Sequence, residues 1–183
     1  MRISAFRLLN SFGLVCLTIL AINALASSSI EAQTVKPKPC SAAIYRQFDF
    51  WIGDLDGFEW TDQKTVEARV QVDPMLDGCA IREVYDQNDG LHGESVTSYD
   101  AVRQVWHHSW VTNYGQLMEL DGKKDGDRIF MTGVDHRADG TIRQVRDTWV
   151  PVEGGVRETA EFSADNGKTW KPLFDMVFRP HKK

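Results

Sequence analysis

The densest grouping of functional side chains in this sequence is Trp106-His107-His108-Ser109-Trp110. Read as a strand, the segment puts Trp106, His108 and Trp110 on one face and His107 and Ser109 on the other, because successive side chains alternate. An imidazole between two indoles on an inward face would hold a small, partly hydrophobic ligand by stacking and one hydrogen bond. If the protein were an enzyme of isomerase, lyase or hydratase type, the same His108 would be its acid or base, since its unperturbed pKa lies near neutrality. A third reading makes the tryptophans core filler, with His108 satisfying a neighbouring carbonyl, in a structural, envelope-associated domain.

The later strands carry further candidates for acid–base work or for binding a polar group: Glu83, Asp147, Glu158, Glu161, Arg143, Arg146 and Arg157. Charges on strands usually form the solvated face of a half-buried sheet. An Arg–carboxylate pair turned inward would instead grip an anionic head group, and Arg146 and Glu161 are the pair expected to fix the polar end of a ligand. No metal site is expected: His107 and His108 are adjacent and point apart, and His92, His136 and His181 lie near turns or the tail without ligand spacing. No cofactor is expected either. The sequence holds no nucleophile elbow, Cys-His dyad or phosphate loop, and Gly154-Gly155 is a hairpin turn because no Lys-Ser/Thr accompanies it.

Export sets the chemistry's compartment. Arg2 and Arg7 form a positive start, an apolar run extends from Phe12 to Ala26, and Ala24-Leu25-Ala26 places small residues at the two positions a signal peptidase reads. The run is short for a membrane span and Ser27-Ser28-Ser29 follows at once. We therefore expect a signal peptide over 1–26, a flexible Ser-, Lys- and Pro-containing leader over 27–39, and one domain over 40–183, in a secreted or periplasmic protein without stable membrane insertion. The whole chain has a net charge of −5, and removing the signal removes two arginines and no acid. Nucleic acid and anionic lipid are therefore poor partners, and a small molecule is the expected one. Cys40 and Cys79 survive cleavage, and an even pair in an oxidising compartment usually closes a bridge.

The domain must be built from strands. Val66, Ala68, Val70 and Val72 alternate with Glu67, Arg69 and Gln71, and similar short runs recur between turn signals such as Asp89-Gly90, Tyr114-Gly115, Asp125-Gly126, Asp139-Gly140 and Asn166-Gly167. A segment from Ser41 to Phe48 has room for one or two helical turns. Counting from Asp54–Trp60 gives about ten strands in an antiparallel meander, and closure into a barrel removes the two edges such a sheet would expose. A two-sheet sandwich is the alternative.

Four pieces of the chain, taken together, resemble a family of secreted bacterial domains of unknown function with calycin-like (lipocalin or fatty-acid-binding-protein-like) barrels. They are Phe48-Asp49-Phe50-Trp51-Ile52-Gly53; Asp77-Gly78-Cys79-Ala80-Ile81 with Glu83; Ser98-Tyr99-Asp100 leading into Trp106-His107-His108-Ser109-Trp110-Val111; and Ser163-Ala164-Asp165-Asn166-Gly167-Lys168-Thr169-Trp170. The resemblance implies a Cys40–Cys79 bridge and a barrel of about ten strands, and it implies no reaction. The chain departs from calycins at Gly53-Asp54-Leu55, where a Gly-x-Trp would plug the barrel floor, so that task falls to Trp51 or Trp60. The fourth piece also matches the Asp-box pattern of propeller proteins, but a single copy reads as a structural hairpin rather than a blade.

Overall fold

The alternation at Ala68, Val70 and Val72 is the pattern of a strand whose one face is sealed from water, and all three side chains are fully buried. In the computed structural model, which describes residues 36–182, this pattern repeats around a closed barrel of ten antiparallel strands. They are β1 (Gly53–Glu59), β2 (Ala68–Met75), β3 (Ala80–Gln87), β4 (His92–Asp100), β5 (Val105–Thr112), β6 (Leu117–Asp125), β7 (Arg128–His136), β8 (Ile142–Val152), β9 (Gly155–Ser163) and β10 (Lys171–Pro180). Each strand pairs with its neighbours in sequence, and β1 closes the ring on β10, with Gly57 opposite Phe178. The expected meander and its closure are thus both present, and the sandwich alternative is excluded. The expected signal peptide and most of the leader lie outside the described residues. Among the described residues, no helix is long and apolar enough to cross a membrane.

Hairpin loops decide which end of the barrel is which. At one end, Gly126 and Gly154 take positive φ (61° and 71°) in two-residue loops between β6 and β7 and between β8 and β9, a geometry that costs glycine little. The segment before β1 covers this same end. Its two 3₁₀ turns, Ala43–Arg46 and Asp49–Trp51, carry Phe48 and Trp51 into the barrel. Phe48 meets Trp106 and Trp149 edge-on at centroid distances of 5.8 and 5.4 Å, and Trp51 meets Phe178 at 4.8 Å. Trp106 Nε1 donates to Gln47 Oε1 at 3.2 Å, so the plug is tied by a polar contact as well. The floor role therefore falls to Trp51, while Trp60 lies outside beneath the Arg157 guanidinium at 4.0 Å.

A disulfide between Cys40 and Cys79 fastens the start of this covering segment to the β2–β3 connection. At the other end, the Asp-box residues do what a single copy predicts. Ser163 Oγ donates to Asp165 Oδ1 at 2.7 Å, and Thr169 donates to the same carboxylate through its amide and hydroxyl. The β9–β10 hairpin is locked by these bonds.

Candidate functional site

Register places the first candidates. Trp110 pairs with Ser95, His108 with Thr97 and Trp106 with Tyr99, so this face of β5 turns inward with Ser95, Thr97 and Tyr99 of β4. Trp106 belongs to the floor. His108 and Trp110 stand above it and line a cavity of about 340 Å³ that opens at the end away from the plug. A domain with a filled interior does not match this space. Trp110 is accommodated because β4 has Gly93 beneath it: a Cβ there would overlap the indole. Tyr85 meets the other side of Trp110 edge-on at 5.8 Å. His107 points outward and pairs with Asp121 at 2.9 Å.

His108 is almost completely enclosed. Thr97 Oγ1 lies 2.8 Å from its Nδ1, and its ring packs at 5.4 Å from Trp149. Burial, with the positive field of His107 second, lowers its pKa from 6.5 to about 4, so the ring is neutral at physiological pH. Its Nε2 makes no hydrogen bond to any described residue, and the residue lines the cavity.

Arg146 and Glu161 sit elsewhere than expected. They form an ion pair of 2.7 Å on the outside of the barrel, each side chain more than a third exposed, and the Arg146 guanidinium covers Trp170 at 4.4 Å. The reason is parity. Val145 and Trp149 fix the inward face of β8, which sends Arg146 out and Asp147 in; Val156, Ala160 and Phe162 do the same on β9, sending Glu161 out and Glu158 in. Arg157 likewise lies outside, paired with Asp175 at 2.7 Å.

What the strands bring together inside is acidic. Glu83 of β3, Asp147 of β8 and Glu158 of β9 all face the interior, and Glu83 and Glu158 line the cavity. Ser95 Oγ donates to Glu83 Oε2 at 2.9 Å and Trp51 lies beside the same carboxyl, but desolvation dominates and raises the Glu83 pKa from 4.5 to about 7. Burial also raises Asp147 and Glu158 well above the ordinary carboxylate range, with repulsion from Glu83 adding at Asp147 and repulsion from Asp147 and Glu83 adding at Glu158. Asp147 Oδ2 and Trp149 Nε1 have no partner with hydrogen-bonding geometry, although both lie near the Glu158 carboxyl. Burial, followed by the fields of Glu158 and Glu83, raises Tyr85 too; its hydroxyl donates to Gln87 Oε1 at 2.8 Å.

Among the described residues no arginine forms an ion pair with these acids, although Arg143 and Arg137 line the same cavity. Arg143 of β8 turns inward near the mouth, but its Nε is bound to the fully buried Asp135 of β7 at 2.7 Å and its guanidinium lies over Phe162 at 4.4 Å. Gln116 Nε2 donates to the other Asp135 oxygen at 2.8 Å, and Arg137 approaches the same carboxylate at 3.8 Å. Glu59, Leu91, Leu173 and Phe174 complete the mouth. Among the described residues, no group of three His, Cys, Asp or Glu side chains is arranged to hold a metal ion.

The fold and this geometry define a class: a closed ten-stranded antiparallel barrel, plugged at one end and hollow at the other, with an acidic interior. Comparison with protein-family models and with curated protein sequences finds no match to this chain.

Proposed function

We propose that this protein is an exported, calycin-like barrel that binds a small, partly apolar molecule through its open end. One observation carries the reading: the cavity is walled by Tyr85, Trp110, Phe174 and Phe178 and reaches down to a few polar groups, Glu83, His108 and Glu158. A concave apolar site with sparse convergent polar groups is the usual form of a small-molecule site, and about 340 Å³ lies at the small end of the ~300–1,000 Å³ such sites span. The Cys40–Cys79 bridge supports folding in a secreted or periplasmic setting. His108 and Trp110 form part of the ligand's wall, and the polar end of the ligand meets the carboxyls rather than Arg146 or Glu161. The test is titration with an environment-sensitive apolar dye. Saturable quenching of tryptophan fluorescence, weakened in His108→Ala, is the expected result; absence of saturation would remove the reading.

An enzymatic reading is favoured by a different observation. Glu83, brought to about 7, and a neutral His108 line the same cavity, and acid–base catalysts are tuned in this way. Turnover of a bound ligand, lost in Glu83→Gln while binding persists, would separate an isomerase, lyase or hydratase from a carrier.

A further inference from the structure

We infer that the cavity selects an organic cation, a primary or secondary ammonium on a compact apolar body, and holds the ammonium against Glu158 and Glu83 with the body against Tyr85, Trp110 and Phe174. The inference rests on the binding reading above and names its ligand class.

Three facts lead to it. First, Glu83, Asp147 and Glu158 converge in the interior without an ion-pair partner among the described residues: Arg143 and Arg137 line the cavity but lie against Asp135 at 2.7 and 3.8 Å, and Arg146 and Arg157 pair outside with Glu161 and Asp175. Buried carboxyls must either keep their protons or receive a counter-charge. Second, polar atoms are left open around these acids: Asp147 Oδ2 and Trp149 Nε1 are buried behind the cavity wall without a hydrogen bond, and His108, 4% exposed, lines the cavity with its Nδ1 engaged by Thr97. Third, the remaining walls are aromatic or apolar, with Tyr85 and Trp110 in edge contact. Aromatic faces next to carboxylates attract a desolvated ammonium by cation–π attraction and by charge-assisted hydrogen bonds together.

The same surroundings disfavour the alternatives. An anionic head group would meet Glu83 and Glu158 at depth, since the two guanidiniums that line the cavity, Arg143 and Arg137, lie at the mouth around Asp135. A bare metal ion would need several oxygen or nitrogen ligands gathered around one point, and no such group of side chains exists among the described residues. An ammonium needs only one or two acceptors and tolerates spacing that a metal does not. Its arrival also explains how the acids are managed in both states: without ligand they keep protons, and the incoming positive charge displaces one. Glu59 at the mouth adds a further acid on the entry path.

The experiment is isothermal titration with 2-phenylethylamine, 2-phenylethanol and 3-phenylpropanoate, which share an aryl body and differ in the charge of the end group. It is run near neutral pH in two buffers of different ionisation enthalpy, alongside the apolar dye. Loss of one charged hydrogen-bonded contact corresponds to about ten- to hundredfold in affinity. The amine should therefore bind at least about tenfold tighter than the alcohol, with the carboxylate weakest, and it should release protons on binding. Glu158→Gln should erase most of the preference for the amine by lowering its affinity at least about tenfold more than the alcohol's; Glu83→Gln should reduce proton release, and circular dichroism verifies that both isosteric variants are folded. Equal or tighter binding of the alcohol or carboxylate, or amine affinity indifferent to Glu158→Gln and Glu83→Gln, overturns the ammonium assignment. If the dye binds and the amine does not, the assignment fails and the carrier reading stands. If neither the dye nor any of the three probes saturates, both fail.

Discussion

Replacing Glu83 by glutamine should make the empty barrel more stable, and only on the alkaline side. The buried carboxyl carries a pKa of about 7 against an ordinary 4.5. Below about pH 4.5 it is protonated in the folded and unfolded states alike and contributes nothing. Between about 4.5 and 7 the unfolded chain has released the proton while the folded chain keeps it, so stability falls as pH rises, and above about 7 the full cost is present. At about 1.4 kcal/mol per pH unit of displacement, that cost is about 3 kcal/mol. Asp147 and Glu158, also raised, act in the same direction. His108 acts in the opposite one: lowered from 6.5 to about 4, it penalises the folded state as pH falls through that window. Glutamine still accepts from Ser95 through its amide oxygen, and any mismatch of its NH₂ group is independent of pH. The readout is therefore a difference of differences, taken from urea unfolding of the ligand-free protein at about pH 5 and about pH 8. Glu83→Gln should gain about 2.5 kcal/mol on wild type between those two conditions, about 5–10 °C in Tm for a domain of this size. An equal effect of the substitution at both pH values would refute the desolvation argument, because no proton would then distinguish the two states at this carboxyl.

Other outcomes follow from single contacts. Gly93→Ala places a methyl where the Trp110 indole lies, so the ring must shift into the cavity; apolar dye affinity should fall about tenfold, at a stability cost of about 1–3 kcal/mol, and unchanged affinity would take Trp110 out of the wall. Removing the Cys40–Cys79 bridge with paired serines releases a loop of 39 residues and should lower stability by up to about 4 kcal/mol in urea unfolding; a loss below about 1 kcal/mol would mean that the plug holds the floor without its fastening. Arg146→Ala with Glu161→Ala removes an exposed pair and should change stability by no more than about 1 kcal/mol with dye binding unaltered; weaker binding would place that pair in the site after all.

Much of the fold was legible because barrel strands write their environment in a period of two and their ends in glycine. Val70 and Val72 alternate with Arg69 and Gln71, and Asp125-Gly126 and Asp139-Gly140 mark hairpin turns that the structure places where expected. Cys40 and Cys79, the two cysteines among the described residues, form the expected bridge. The floor was harder to assign, because Trp51 and Trp60 are equally aromatic in sequence. What separates them is that Trp51 sits in a 3₁₀ turn feeding the interior while Trp60 follows an inward Glu59 and so falls outside with Arg157.

The site was half legible for the same reason. Alternation along β5 is enough to turn His108 and Trp110 toward the cavity, whereas Arg146 and Glu161 suit a ligand's polar end by chemistry alone and the alternation of β8 and β9 turns them outward. In Val145-Arg146-Asp147-Thr148-Trp149 the apolar residues already point Asp147 inward, and Val156, Ala160 and Phe162 already point Glu158 inward. The signal was present but ran against the rule that strand charges face water. A strand that puts a carboxylate on its apolar face, opposite another strand that does the same, violates local consistency at a cost to stability, and such violations collect at functional sites. Three of them in one barrel, none in an ion pair with an arginine among the described residues, are hard to reconcile with a scaffold whose interior serves only to be filled. The acids weaken the empty barrel above neutral pH, and a ligand that relieves their burial recovers that loss as binding energy, so affinity and pH-dependent stability must be linked through the same carboxyls.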